Sequence, residues 1–300
     1  MSEKFSRILI PLDGSNLAES VLPFSVAMAA RLQATIVLLH IIEEHAPQTV
    51  HGEPHLHTVA DAEQYLLKLA SRYGSSIICE HHVHGTEEDN VAGSIASHIS
   101  ELKADMVVLC THGGSGLRRV VSGSIAQQVL RKATAPVLIM RPRLENAATA
   151  IKSILVPLDG THASERAVQT AAYLARACDA SLSLVTVVPT VETVKGNRTA
   201  AARMSPLMTA EVLNAEEEQS RVYLEGIAAD LRGQGIAVNA VVRRGNTVPT
   251  LAEAAAQTPT DLIIIATHGR AGLNAMWTGS VTATLIARVA QPTLMLKLES

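Results

Sequence analysis

Two kinds of apolar spacing alternate along the chain. Short runs of branched residues, "RILIPL" from Arg7, "ATIVLLHII" from Ala34, "SSIICEHHVH" from Ser75, "ADMVVLCT" from Ala104 and "PVLIMR" from Pro136, have the length and composition of strands. Between them the apolar positions recur at three- and four-residue spacing, as on one face of a helix. Ser15 suits the N-cap of a helix running to about Leu32, with Glu19 in its first turns. Thr58 and Asp61 form a capping-box pattern ahead of a helix ending near Tyr73, and a further helix is expected over Val91 to Leu102. The run "MVVLC" is apolar at every position, as in a strand covered on both faces of a parallel sheet.

The same order then repeats. "RILIPLDGSNLAESVLPFSVAMAARLQATIVLLHII" from Arg7 aligns without a gap to "SILVPLDGTHASERAVQTAAYLARACDASLSLVTVV" from Ser153, at an offset of 146. Asp13 falls on Asp159, Gly14 on Gly160 and Glu19 on Glu165. "GIAVNAVVR", "DLIIIAT" and "PTLMLKL" supply the later strands of the second copy, Ser205-Pro206 opens a longer helix, and another is expected over Thr247 to Gln257. The copies meet in the polar, alanine-rich "RLENAATAI" near 143 to 151, which places one domain at 1–144 and a second at 151–300. Five strands per copy alternating with helices predict two α/β domains, each an open, parallel five-stranded sheet wound on both faces. Ligands of such sheets bind at the carboxyl ends of the strands where strand order reverses, here the tips of the first and fourth strands.

Composition narrows the function. An apolar fraction of 47% and a charged fraction of 18% suit a soluble globular protein, and no apolar run reaches the ~20 residues of a membrane span. A net charge of -3, with one Trp, four Tyr and two Phe, gives no basis for nucleic-acid binding. Cys79, Cys110 and Cys178 are odd in number and without paired spacing, and the start of the chain has no signal-peptide pattern. Cytoplasmic localisation is therefore expected.

The chemistry concentrates at the predicted strand tips. The first strand of each copy ends in Pro-Leu-Asp-Gly, and the fourth runs into "THGGSGLRRVVSGS" from Thr111 or "THGRAGLNAMWTGS" from Thr267. Gly-Ser follows the first glycine of each loop by ten residues and opens a helix, so backbone N–H groups and a hydroxyl meet the positive end of a helix dipole, an anion-favouring arrangement. The phosphate-loop lysine is missing, since no Gly-Lys-Ser or Gly-Lys-Thr occurs, and fast hydrolysis is not expected. The first turn, Asp13-Gly14-Ser15-Asn16, also lacks the dinucleotide GxGxxG pattern.

Pro-Leu-Asp-Gly together with a glycine loop ending in Gly-Ser, in that order in both halves, resembles the universal stress protein family in its tandem two-domain form. The resemblance covers about 1–142 and 151–298. It implies a Rossmann-like domain of the adenine nucleotide alpha hydrolase type that binds ATP, or AMP or ADP, with Mg²⁺ accompanying a triphosphate. Carried over by position, Pro11 and Asp13 would lie by the adenine and ribose with Ile41 against the base, and Gly113, Gly116, Gly123 and Ser124 would hold the phosphates. The second copy offers Pro157, Asp159, Val187, Gly269, Gly272, Gly279 and Ser280. The family's pattern has a further glycine where this chain has Cys110 and Ala266; both are small and expected to be tolerated, although a Cβ or sulfur there can crowd a phosphate or ribose. The family also pairs domains through the last strand, which implies an intrachain pseudo-dimer here and leaves a homodimer of whole chains open.

Other readings of the same residues stand beside this one. Asp-Gly also suits an Asx turn or helix cap, and Gly and Ser are ordinary helix-start residues. His112 and His268 follow the fourth strands, but no partnered carboxylate is nameable for acid–base work. Arg118 and Arg119 can reach a phosphate or form a solvated face. Ten of the twelve histidines lie in the first copy, seven of them within "HAPQTVHGEPHLH" and "HHVH". His51, His55 and His57, with Glu53, are candidate zinc or nickel ligands, whereas Gly52 and Pro54 prevent a helix from aligning them and a mobile polar loop is the plainer reading. The functional expectation is a nucleotide-dependent stress-response module without catalytic residues; the rivals are a slow ATPase and a non-nucleotide or metal-responsive interaction protein.

Overall fold

The computed structural model describes residues 4–111, 125–142, 149–196, 198–268 and 281–298. It divides into two units. The first comprises residues 1–150 together with Pro292–Lys297, and the second Ile151–Gln291 with 298–300.

In the first unit, β1 (Arg7–Pro11), β2 (Thr35–Glu43), β5 (Cys79–Glu88), β6 (Met106–Cys110) and β7 (Val137–Met140) form a parallel sheet in the order β5-β2-β1-β6-β7. The chain winds outward from β1 through β2 to β5 and then returns to the other side at β6, so strand order reverses between β1 and β6. Ile8, Leu9 and Ile10 are fully buried, as expected of a central strand covered on both faces. Each such side chain contributes about 1.5–3 kcal/mol through burial. At the other end of β1 the Asp105 carboxylate accepts hydrogen bonds from the Ser6 hydroxyl and from the Ser6 and Arg7 amides, fixing the register against β6. β7 is joined on its outer side by β12 (Thr293–Leu298), antiparallel, with Leu294 opposite Leu138. The last strand of the chain thus lies in the first unit.

The helices include α1 (Asn16–Glu19), α2 (Leu22–Leu32), α3 (Val59–Tyr73), α4 (Val91–Glu101) and α5 (Ile125–Lys132). The single helix expected from Ser15 to Leu32 is broken after Glu19. Pro23 has no N–H to give and its ring collides with the carbonyl four residues back, which belongs to Glu19. The equivalent of Pro23 in the second copy is Gln169, and there α6 (His162–Cys178) runs unbroken. The capping box forms as expected, with the Thr58 hydroxyl accepting from the Asp61 amide at 3.1 Å and donating to the Asp61 carboxylate at 2.7 Å. The segment read as a loop holds a small antiparallel hairpin, β3 (Thr49–Val50) and β4 (Glu53–Pro54). Its two-residue loop, His51-Gly52, has φ of 52° and 87°, the positive pair that matches the right-handed twist of the flanking strands.

The second unit repeats the plan with β8 (Ser153–Pro157), β9 (Ser181–Val188), β10 (Val238–Arg244) and β11 (Leu262–His268) in the parallel order β10-β9-β8-β11. The reversal falls between β8 and β11, and Asp261 accepts from the Lys152 and Ser153 amides as Asp105 does in the first copy. Its helices are α6, α7 (Arg198–Met204), α8 (Pro206–Gly233), α9 (Thr247–Gln257) and α10 (Val281–Arg288). Among the described residues no helix is long and apolar enough to cross a membrane.

Candidate functional site

Both sheets present the same construction where strand order reverses. In the first unit β1 ends at Pro11; Leu12 is held by its amide to the Leu39 carbonyl, and the chain then turns through Asp13-Gly14. Asp13 Oδ1 accepts from the Ser15 amide at 3.0 Å and the Ser15 hydroxyl at 2.6 Å, while that hydroxyl accepts from the Ala18 amide at 3.1 Å. In the second unit Asp159 Oδ1 accepts from the Thr161 amide and hydroxyl at 3.0 and 2.6 Å, and Thr161 Oγ1 accepts from the Ser164 amide at 3.3 Å. Each hydroxyl therefore caps its helix and fixes its aspartate at once. Asp159 is exposed to solvent along its chain, and the partial desolvation of its carboxyl alone would raise the pKa, but the Thr161 hydroxyl and amide and the Ser164 hydroxyl outweigh it and hold the carboxyl below its ordinary value. The site has an anionic acceptor in a set orientation at the tip of its first strand.

The neighbouring strand completes this wall. Ile41 of β2 is buried, Val187 of β9 is half-buried, and Pro11 and Pro157 close β1 and β8. Cys110 ends β6, its sulfur 3.7 Å from the Ser20 hydroxyl oxygen; burial first, and the Asp13 charge with it, push its thiol up to about 11 against the Ser20 hydrogen bond. A thiol so shifted is a poor nucleophile. Gly113, Gly116, Gly123 and Ser124, with His112, Arg118 and Arg119, lie outside the described residues, as do Gly269, Gly272, Gly279 and Ser280.

A family model, that of the universal stress protein family, matches this chain twice, over residues 4–141 and 150–297. The chain belongs to the universal stress protein family. Its tandem form is shared with a universal stress protein of Mycolicibacterium smegmatis, 25% identical over 97% of this chain and 96% of that one. A universal stress protein of Methanocaldococcus jannaschii is 24% identical over 46% of this chain and 82% of its own length, a single-copy match. Among solved structures, a universal stress protein from Archaeoglobus fulgidus superposes with a TM-score of 0.72 at 17% identity, over 98% of this chain and 97% of that one, so the fold is common to both.

Two polar pairs in this universal stress protein escaped the reading of its sequence. His40, within the apolar run of β2, is 2% exposed and donates from Nδ1 to the Leu12 carbonyl at 2.8 Å. Its equivalent Thr186 donates to the Leu158 carbonyl at 2.9 Å. Each satisfies a buried carbonyl one residue before the aspartate. The visible signal was a polar residue at the same place in two apolar strands. Burial lowers the His40 pKa against the pull of the Leu12 and Leu56 carbonyls and Asp13, and its neutral Nε2 finds no hydrogen-bond partner among the described residues. The second pair joins the first helix of each unit to a helix between the second and third strands of its main sheet, α3 in the first and α8 in the second. The Tyr223 hydroxyl donates to Glu165 at 3.2 Å, and the buried Tyr65 hydroxyl lies by Glu19. Burial, then the glutamate charge, raises both phenols, Tyr223 to about 12.

Among the described residues the histidine candidates for a metal do not converge into one set of three donors. His51 Nε2 lies 3.8 Å from Asp13, His55 Nε2 lies 3.7 Å from Glu43, and Glu53 bonds the Asn16 amide at 2.6 Å. The rings of His55 and His57 pack 5.4 Å apart. Among the described residues, Glu44, His45 and Asp89, all exposed, are the group whose donor atoms lie within 4.8 Å of one another. In "HHVH", His81 pairs with Glu63 and His84 with Glu88, while the rings of His82 and His84 flank the buried His98.

Proposed function

We propose that this universal stress protein binds an adenine nucleotide, ATP with Mg²⁺ in preference to ADP or AMP, at the strand tips where each sheet reverses, and acts as a nucleotide-dependent regulatory module in the cytoplasm. The observation that carries the reading is the twice-built aspartate turn, Asp13 with Ser15 and Asp159 with Thr161, set beside the strand that runs into a glycine loop. A fixed carboxylate accepts from sugar hydroxyls or a base amino group, and the half-buried Val187 beside it offers apolar contact to a base. In the second unit Asp159, Gly160 and Thr161 are all exposed, which leaves that turn accessible from solvent.

The proposed contacts to base and ribose are Pro11, Asp13 and Ile41 in domain 1–144, and Pro157, Asp159 and Val187 in domain 151–300. Those to the phosphates are Gly113, Gly116, Gly123 and Ser124, then Gly269, Gly272, Gly279 and Ser280. No residue is assigned a catalytic role. Bound nucleotide acts only through a difference in affinity between two states of the protein or its partner. The test is to denature the purified protein and identify released small molecules by mass spectrometry, alongside calorimetric titration with Mg²⁺ and ATP. Recovery of an adenine nucleotide with saturable heat supports the reading; neither a released nucleotide nor any heat at high protein concentration rejects it.

A further inference from the structure

The two aspartate turns share a sequence pattern and internal hydrogen bonds but not surroundings. Asp159, Gly160 and Thr161 are exposed, and a Cβ built on Gly160 would meet nothing within 4 Å. Asp13 and Gly14 are half-buried and Ser15 is 0% exposed. Among the described residues, the β3–β4 hairpin and the residues just after it reach over them. Glu53 takes the Asn16 amide at 2.6 Å and also the Asn16 side-chain amide. Leu56 sits on Gly14, so that a Cβ there would lie 3.1 Å from both Leu56 Cγ and Cδ1. His51 stands 3.8 Å from Asp13 Oδ2, at the tip of the hairpin. The His55 amide closes the base of the hairpin on the Gln48 carbonyl, and the His55 ring, buried against Glu43 and 6.3 Å from His40, ties the hairpin down behind.

We propose that this histidine-rich hairpin is a strap over the first unit's aspartate turn, so that the chain takes its nucleotide first at the second unit, through Asp159, and at the first unit only when the strap lifts. The inference rests on the nucleotide reading above and adds to it an order of filling. Three contacts of different kinds, a charge-assisted pair on Asn16, an apolar contact on Gly14 and a histidine–carboxylate approach on Asp13, converge on three of the four residues from Asp13 to Asn16. In the second copy the described part of the segment after β9 bonds within itself, Thr193 to Thr190 and Thr199 to Val194, and to Arg244 of β10 through the Pro189 carbonyl, and leads into α7. A ligand that needs the strap open binds with its intrinsic affinity reduced by the open fraction, so a strap shut in nine molecules of ten weakens the first site about tenfold.

The test is calorimetric titration of the full chain with Mg²⁺ and ATP, comparing the wild type with Asp159→Ala, Asp13→Ala, Glu53→Ala and Asn16→Asp. The last variant keeps the side chain's size and sets a second carboxylate against Glu53, which covers the case in which Glu53→Ala does not fold. A tight site that disappears with Asp159→Ala and survives Asp13→Ala, with a second site strengthened about tenfold by Glu53→Ala or Asn16→Asp, is the expected result. Loss of the tight site with Asp13→Ala but not Asp159→Ala overturns the order of filling, as do two equal sites in the wild type or a first site indifferent to both strap variants. Absence of binding in every protein rejects the nucleotide reading instead. Amide exchange then judges the strap alone: the Ser15 to Ala18 amides are expected to exchange more slowly than Thr161 to Ser164 and to lose that protection in Asn16→Asp, and equal rates in the wild type overturn it.

Discussion

Replacing His40 by threonine, the residue its repeat partner Thr186 already is, separates two jobs of one buried ring. Threonine retains a donor for the Leu12 carbonyl but cannot titrate. At neutral pH the variant loses ring volume from a site 2% exposed, and a large-to-small change there costs about 1–3 kcal/mol. The acid limb moves the other way. Burial holds the folded-state pKa of His40 below the 6.5 of a free histidine, so between those two values the unfolded chain binds the additional proton. Stability is therefore intact above about pH 6.5 and falls as pH drops from there to the folded pKa, by up to about 1.4 kcal/mol per pH unit for one proton. The assay is urea denaturation of both proteins at intervals from pH 7.5 to 5. The wild type is expected to be the more stable at pH 7.5 and to lose its lead on acidification, because the variant lacks this one titration. His82, also lowered chiefly by burial, is present in both and cancels. Equal slopes across the window would refute the claim that burying His40 in its neutral form shapes the pH dependence.

Two further outcomes follow from local geometry. Gly14→Ala and Gly160→Ala both force alanine to positive φ, 91° and 77°, but only the first also pushes Leu56; each is expected to cost about 1–3 kcal/mol in thermal or urea melts, with Gly14→Ala the larger. Cys79 and Cys110, both pushed up to about 11 chiefly by burial, are expected to react with iodoacetamide at pH 8 at least about tenfold more slowly than an unstructured thiol, and mass-resolved labelling in native against urea-unfolded protein checks it.

Most of the fold was legible because its signals are local. Thr58 and Asp61 name their own helix, and "MVVLC" and "LIII" are too uniformly apolar for anything but a strand covered on both faces. The aspartate turns were legible because the duplication prints them twice. What escaped depended on partners distant in sequence or on single residues overruled by a pattern. Pro23 breaks a helix that the ungapped alignment to α6 made look continuous. The β3–β4 hairpin has two residues per strand, too few for any alternation to register, and only the His51-Gly52 pair hinted at its turn. Glu53 and His51, grouped by spacing as metal ligands, face partners far off in sequence instead, Glu53 the Asn16 amide and His51 the Asp13 carboxylate.

The placement of Thr293–Leu298 beside Val137–Met140 has a consequence for how the protein is made. During synthesis the ribosome delivers β7 long before its antiparallel neighbour exists, and the nascent first half must wait with the main-chain groups along that edge unsatisfied. A fragment cut at the duplication boundary keeps that exposure permanently, and its cheapest remedy is the same edge of another molecule. Cleaved or truncated first halves would then associate in pairs, and adding back a peptide carrying "TLMLKL" would disperse them.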